Sequence, residues 1–246
     1  MLRWTVLGCH SPYPAPGGAT PGYLLETTEH KILVDCGSGV LSQLGKKIAP
    51  HELDAVWLSH LHHDHITDLF VLQYAVMMAM QTGQREEPLT VYAPSEPAGW
   101  AEKIPYRHFV RHQPIQEGES YSLGDVTIIL HRTEHAVPCY ALEVRQGERV
   151  LLYGADAGPS TSWESMGSSP DLFICEGTYL HRDLPPHPVG HHSVLQAAQA
   201  ADRIQARRLL ITHLYPEYDP DDLRAEASSA YKGEMWVAQS GWTIRL

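Results

Sequence analysis

The chain has 246 residues, 43% hydrophobic and 19% charged, the balance of a folded globular protein, which excludes a disordered or fibrous chain. Its formal charge of −11 argues against broad nucleic-acid binding, because neutralising a phosphate backbone takes a surplus of lysine and arginine. The unusual count is histidine, of which there are 16.

Taken in chain order, "RWTVLG", "GYLLET" and "KILVDCG" read as short strands, "GVLSQLGKKI" as a helix and "LDAVWLS" as a further strand. "ITDLFVLQYAVMMAMQ" carries apolar residues at helical spacing, and its Met77, Met78 and Met80 are expected in the core or a pocket wall. "LTVYAP" is a strand, and "SEPAGWAEKI" opens on Ser as a helix start should. The second half continues with strands at "DVTIILHRTEH", "CYALEVRQ", "RVLLYGAD" and "PDLFICEGT". A helix "SVLQAAQAADRI", a strand "ARRLLITH", a helix "DPDDLRAEASSAY" and a last strand pair complete the chain. Strands interspersed with helices predict an α/β or α+β layered fold. With no low-complexity linker, residues 1–246 are expected to form a single domain.

The N-terminal stretch "MLRWTVLGCHSPYP" lacks the apolar core of a signal peptide, and no stretch is long and apolar enough for a membrane span. A cytoplasmic protein that does not engage a membrane is the expectation. Cys9, Cys36, Cys139 and Cys175 are scattered without a CxxC pair, which predicts buried reduced thiols.

Asp35, His60, His135, Asp156, Glu176 and His213 each fall at or just beyond the end of a strand-like run, where rigid scaffolds place site residues. The segment "SHLHHDHITDL" (59–69) adds His62, Asp64 and His65 in one turn. Neutral imidazoles and carboxylates are the ligand set for zinc, manganese or iron. Alternate residues His60 and His62 can point one way while Asp64 and His65 turn another, so that one loop supplies two adjacent metals and His63 faces away. Alone, His135 would be a strand-edge histidine, Asp156 a turn aspartate and His213 a capping histidine. Following HxHxDH in this order, they complete a ligand set.

This order resembles the metallo-β-lactamase superfamily, over essentially the whole chain: "KILVDCGSG", "SHLHHDH", then His135, Asp156 and His213. The resemblance implies a four-layer αβ/βα sandwich holding two divalent metal ions, zinc first, with manganese and iron as the other candidates. One ion would take His60, His62 and His135, the other Asp64, His65 and His213, with Asp156 bridging. Asp35 would lie behind these ligands and orient the loop. Lactam-hydrolysing members generally lack an aspartate at the Asp156 position, and His62 speaks against the flavodiiron branch.

The ribonuclease Z-like branch fits better, through Ser59, "GHHSVLQAAQAA" and "RRLLITH". Its "GHS"-type motif supplies a catalytic histidine that is not a ligand; His191 aligns with it, and His192 is the competing choice. Glu176 could orient His191, or be a strand-end helix cap or a surface carboxylate. Between His135 and Asp156 the chain has only a hairpin where ribonuclease Z enzymes often carry a tRNA-gripping arm, and Asp68 replaces a common glycine.

The expectation is therefore an armless metal-dependent hydrolase, a phosphodiesterase with a metal-bridging hydroxide nucleophile. Asp64, His191 and Glu176 form its catalytic set, and it acts on a small-molecule or short phosphodiester substrate. Nucleic acid is not favoured, and a homodimer is open. The alternatives are a lactone or thioester hydrolase with the same metal site, and a non-catalytic metal- or nucleic-acid-binding module.

Overall fold

The computed structural model describes residues 1–167, 169–187 and 189–246. They form two compact units: Met1–Gln116 with Gln239–Arg245, and Glu117–Ala238 with Leu246.

The first unit carries β1 (Arg3–Gly8), β2 (Gly22–Glu26), β3 (Lys31–Val34), α1 (Val40–Leu44) and β4 (Ala55–Trp57). After these come α2 (His63–Ile66), α3 (Leu69–Gln81), β5 (Leu89–Ala93), α4 (Ala98–Ala101) and β6 (Val110–Pro114). The second unit carries β7 (Ser120–Leu123), β8 (Val126–Arg132), β9 (Tyr140–Gln146), β10 (Arg149–Tyr153) and β11 (Leu172–Glu176). It continues with α5 (Val194–Arg203), β12 (Arg208–Thr212), α6 (Pro220–Ala230) and β13 (Glu234–Val237). The last strand, β14 (Thr243–Arg245), belongs to the first unit.

Each unit has a seven-stranded sheet, in the orders β14-β1-β2-β3-β4-β5-β6 and β13-β12-β11-β10-β9-β8-β7. Both change character part-way. In the first, β14 to β3 pair antiparallel and β3 to β6 parallel. In the second, β7 to β10 pair antiparallel and β10 to β13 parallel. The parallel strands are short apolar runs such as "KILV", "LFICE" and "RLLIT", as strands buried on both faces should be. Their C-terminal ends are the usual location of ligand sites in open sheets with parallel strands.

The two closing strands, expected to pair with each other, join different sheets: β13 lies parallel to β12, and β14 antiparallel to β1. β6 ("VRHQP") and β7 ("SYSL") were not expected; both are sheet edges, where polar residues replace the apolar alternation. In α3, Leu69, Leu72, Val76 and Ala79 are buried at helical spacing, while Val71, Tyr74 and Met78 face outward. Met77 and Met80 pack against the core as expected, but Met78 is 52% exposed, because it shares a face with Tyr74 and Val71. The helix "SEPAGWAEKI" shrinks to the single turn α4, behind Pro97.

α5 begins with a capping box. Ser193 Oγ accepts from Gln196 N, and Gln196 Oε1 accepts from Ser193 N. Its buried Ala197, Ala198, Ala200 and Ala201 join a core cluster with Phe173, Leu209 and Ile211 of the sheet. Small side chains there place the start of the helix, with His191 just before it, close to the ends of β11 and β12. Among the described residues, no helix is long and apolar enough to cross a membrane.

Candidate metal centre

In the first unit the site is built around Asp35, the residue after β3. It is fully buried, at a left-handed φ of 56° that costs a non-glycine residue energy and marks a functional position. Its Oδ1 accepts from Ser59 N at 2.8 Å; its Oδ2 accepts from Ser59 Oγ at 3.0 Å and from His65 Nδ1 at 2.9 Å. Ser59 Oγ also meets His60 Nδ1 at 3.0 Å. A hydroxyl has one proton, and Ser59 gives it to Asp35, so His60 Nδ1 carries the hydrogen in that contact. Both His60 and His65 thereby present Nε2 as a lone pair, the form a metal ligand needs.

Those lone pairs face other atoms of the kind that ligate metals. His60 Nε2 lies 3.1 Å from His62 Nδ1, and His65 Nε2 lies 3.8 Å from Asp64 Oδ2. The turn from β4 through α2 therefore pairs His60 with His62 and Asp64 with His65. Asp64 is held from behind, its Oδ2 accepting from Ser11 Oγ at 2.9 Å and its backbone O from Thr20 Oγ1 at 2.7 Å. Ser11 and Thr20 were invisible to the motif, since nothing in "CHSPYPAPGGAT" announces a contact with residue 64. His63 is exposed and sits edge-on against Trp100. Asp68 Oδ2 caps the start of α1 by accepting from Leu41 N at 2.9 Å, a structural use for the residue that stands in place of the common glycine.

The second unit repeats the device with Glu176, the buried last residue of β11. Its Oε1 accepts from His191 Nδ1 at 2.8 Å and from Ala157 N at 3.0 Å. Its Oε2 accepts from Thr178 N at 3.2 Å and from Thr178 Oγ1 at 2.6 Å. Thr178 Oγ1 in turn receives His213 Nδ1–H at 2.8 Å, which leaves His213 Nε2 as the lone pair. Burial by itself would push the Glu176 carboxyl up, but the adjacent His191, by its charge and hydrogen bond, holds it below its usual value.

Asp156 lies beside these groups. His213 Nε2 is 3.2 Å from Asp156 Oδ1, and His135 Nε2 is 3.7 Å from Asp156 Oδ2. His135 Nδ1 donates to Gly190 O at 2.9 Å, and burial lowers its pKa, so its Nε2 is also a lone pair. Two imidazole lone pairs thus each face a different oxygen of one buried carboxylate. Such contacts repel unless a cation lies within reach of both atoms, and these donors fit one, since ligands of a four-coordinate ion with bonds of about 2 Å stand roughly 3.3 Å apart. Asp156, His191 and His213 offer donor atoms within 4.8 Å of one another. His213 sits at φ 58°, and Ala155, before Asp156, at 52°, two more left-handed residues at strand ends.

The geometry also separates His191 from its neighbour. His191 is partly exposed beside Asp156, with its ring stacked on His213, whereas His192 is 1% exposed and packs against Trp163. The interval from His135 to Asp156 contains only β9, β10 and a turn at Gly147, so the chain has no arm there.

A family model described as the β-lactamase superfamily domain matches residues 30–214. The chain belongs to the metallo-β-lactamase superfamily. It is 35% identical to the probable metallo-hydrolase YhfI of Bacillus subtilis (strain 168), covering 98% of both chains. The crystal structure of YhfI superposes with a TM-score of 0.91 at 34% identity, over 99% of this chain and 98% of that one. A ribonuclease Z of Mycobacterium sp. (strain KMS) is 29% identical over 96% of this chain and 93% of its own length. The short form of human tRNase Z has the same fold, with a TM-score of 0.75 at 20% identity over 99% and 98% of the two chains. The fold class expected from the sequence is therefore established, as is the membership with ribonuclease Z-like relatives. A metallo-hydrolase of this fold uses divalent metal ions, and the His and Asp clusters of the chain are of that kind.

Proposed function

We propose that the protein is a dinuclear metal-dependent phosphodiesterase acting on a small or short diester. The observation that carries this reading is Asp156, whose two oxygens each face the lone pair of a different histidine, as a carboxylate shared by two cations does. His60, His62, Asp64 and His65 of the first unit and His135, Asp156 and His213 of the second are the residues that would hold the ions. Nitrogen and oxygen donors without sulfur suit zinc. When bound, two such ions supply an acidified water and positive charge for the phosphoryl oxygens.

The chain's own residues supply the rest. Glu176 fixes His191 by its Nδ1–H, so that Nε2 is the atom that can carry a proton to the departing alkoxide. Asp35 and Ser59, with Thr178, keep His60, His65 and His213 in the tautomer that binds metal. The ribonuclease Z relative favours a phosphodiester substrate, and the short hairpin between His135 and Asp156 favours a small one over tRNA. The four cysteines, buried and outside any disulfide, with the Cys9 thiol pushed up to about 12, fit the cytoplasmic location that is part of this reading.

The test is hydrolysis of bis-p-nitrophenyl phosphate by the protein reconstituted with zinc or manganese. Turnover by the parent and its loss in Asp64→Ala are expected; undiminished turnover in Asp64→Ala would refute the site. Purified protein should hold two ions per chain, and fewer than one counts against the dinuclear reading. A substrate panel that shows lactone or thioester cleavage and no diester cleavage would move the chemistry to a carbonyl.

A further inference from the structure

Beyond β11, Tyr179 and His192 bracket a segment that precedes α5. It is stapled at its base, where Tyr179 N donates to His192 O at 3.3 Å and Val194 N to Tyr179 O at 2.9 Å. Beside Pro159 this segment opens a cleft of about 230 Å³ whose apolar lining is Pro159, Leu184, Pro185, Pro186 and Val189. His187, Gln196 and His191 also line it. His191 thus belongs to two places at once, this cleft and the cluster with Asp156 and His213. A group seated in the cleft lies against the imidazole that approaches Asp156 Oδ2 to 3.9 Å.

The lining says what that group is. Among the described residues that form the cleft there is no Lys, Arg, Asp or Glu, so a flanking phosphate would meet only the imidazoles of His187 and His191 and no permanent cation. Proline, leucine and valine offer rigid apolar walls at little entropic cost. The volume is below that of drug-sized sites and suits a single ring. Gln196 has its Oε1 committed to Ser193 N, so its amide N–H groups are the donors left for one acceptor atom.

We propose that this cleft receives one ester substituent of the substrate, and that the substituent is an uncharged, apolar, ring-sized group rather than the next unit of a polynucleotide. The assignment of the occupant as an ester substituent rests on the phosphodiesterase reading; its size and polarity rest on the cleft alone.

The experiment compares the dissociation constants of phenylphosphonate and methylphosphonate for the zinc-loaded protein by calorimetry, with bis-p-nitrophenyl phosphate hydrolysis measured in parallel. The phenyl compound is expected to bind about tenfold tighter, the gain from partly burying one ring. Val189→Asp and Leu184→Asp, both at half-buried wall positions, are each expected to bring that ratio close to one. A ratio near one in the parent protein, or an unchanged ratio in both variants, overturns the cleft assignment. Absence of diester hydrolysis overturns the phosphodiesterase reading and leaves the phosphonate ratio to judge the cleft independently.

Discussion

Asp35 holds His65 directly, Nδ1 to Oδ2 at 2.9 Å, and reaches His60 through the Ser59 hydroxyl. Glu176 does the same in the second unit, holding His191 directly and His213 through Thr178. In each case one buried carboxylate sets two imidazoles, the second through a hydroxyl that can donate in only one direction.

Asp35→Asn tests the first arrangement. An amide supplies one acceptor oxygen where the carboxylate uses two, so either Ser59 N–H or the pair His65 and Ser59 Oγ must face an N–H₂ group. Zinc affinity, measured by competition with a chromogenic chelator, should fall about 10- to 100-fold. Unchanged affinity would mean that Asp35 does not orient the ligands.

Thr178→Val tests the second. The shape is kept, but His213 Nδ1–H loses its acceptor and Glu176 Oε2 one donor, at a stability cost of about 1–3 kcal/mol by urea unfolding. Zinc affinity should fall as well, and Thr178→Ser, which keeps the hydroxyl, should recover most of both. A Thr178→Val variant with parental stability and zinc affinity would show that the hydroxyl contributes nothing.

Gly37→Ala probes the close approach behind Asp64. A Cβ at residue 37 would lie 1.9 Å from the Asp64 carbonyl oxygen and 2.2 Å from Thr20 Oγ1, so the backbone of the turn that carries Asp64 must move. A destabilisation of roughly 3 kcal/mol, at the upper end of the usual cost of overpacking because backbone is displaced, is expected together with a lower zinc content. A variant with parental melting temperature and full metal would contradict this packing.

Glu143 gives a pH dependence away from the centre. Burial pushes its carboxyl up, yet hydrogen bonds from His131 at 2.7 Å and Arg145 at 2.5 Å outweigh this and hold it below the usual 4.5. A carboxyl depressed in the folded state contributes stability above its unfolded pKa and loses it as pH falls through the folded value. Glu143→Gln should therefore cost about 1 kcal/mol at pH 7. The gap between parent and variant should narrow as the pH drops below about 4.5. A gap independent of pH would show that the charge on Glu143 contributes nothing.

The sequence by itself determined the alternation of strands and helices, the positions of the site residues at strand ends, and the donor chemistry, because each depends on residue type and short-range spacing. Asp35, Asp156 and His213 were readable for that reason: an apolar run stops and a ligand-type side chain follows. What tertiary structure decided is which hydrogen each of those side chains carries and what stands behind it. Ser11 behind Asp64 is separated from it by 53 residues, Thr178 from His213 by 35, and the Gly190 carbonyl from His135 by 55. The choice of His191 over His192 beside Asp156 is of the same kind. Adjacent residues on an extended segment point opposite ways, and with His192 packed against Trp163 it is His191 that lies beside Asp156. The strands β6 and β7 are not legible in the sequence, because an edge strand is held by backbone hydrogen bonds to one neighbour and needs no apolar alternation.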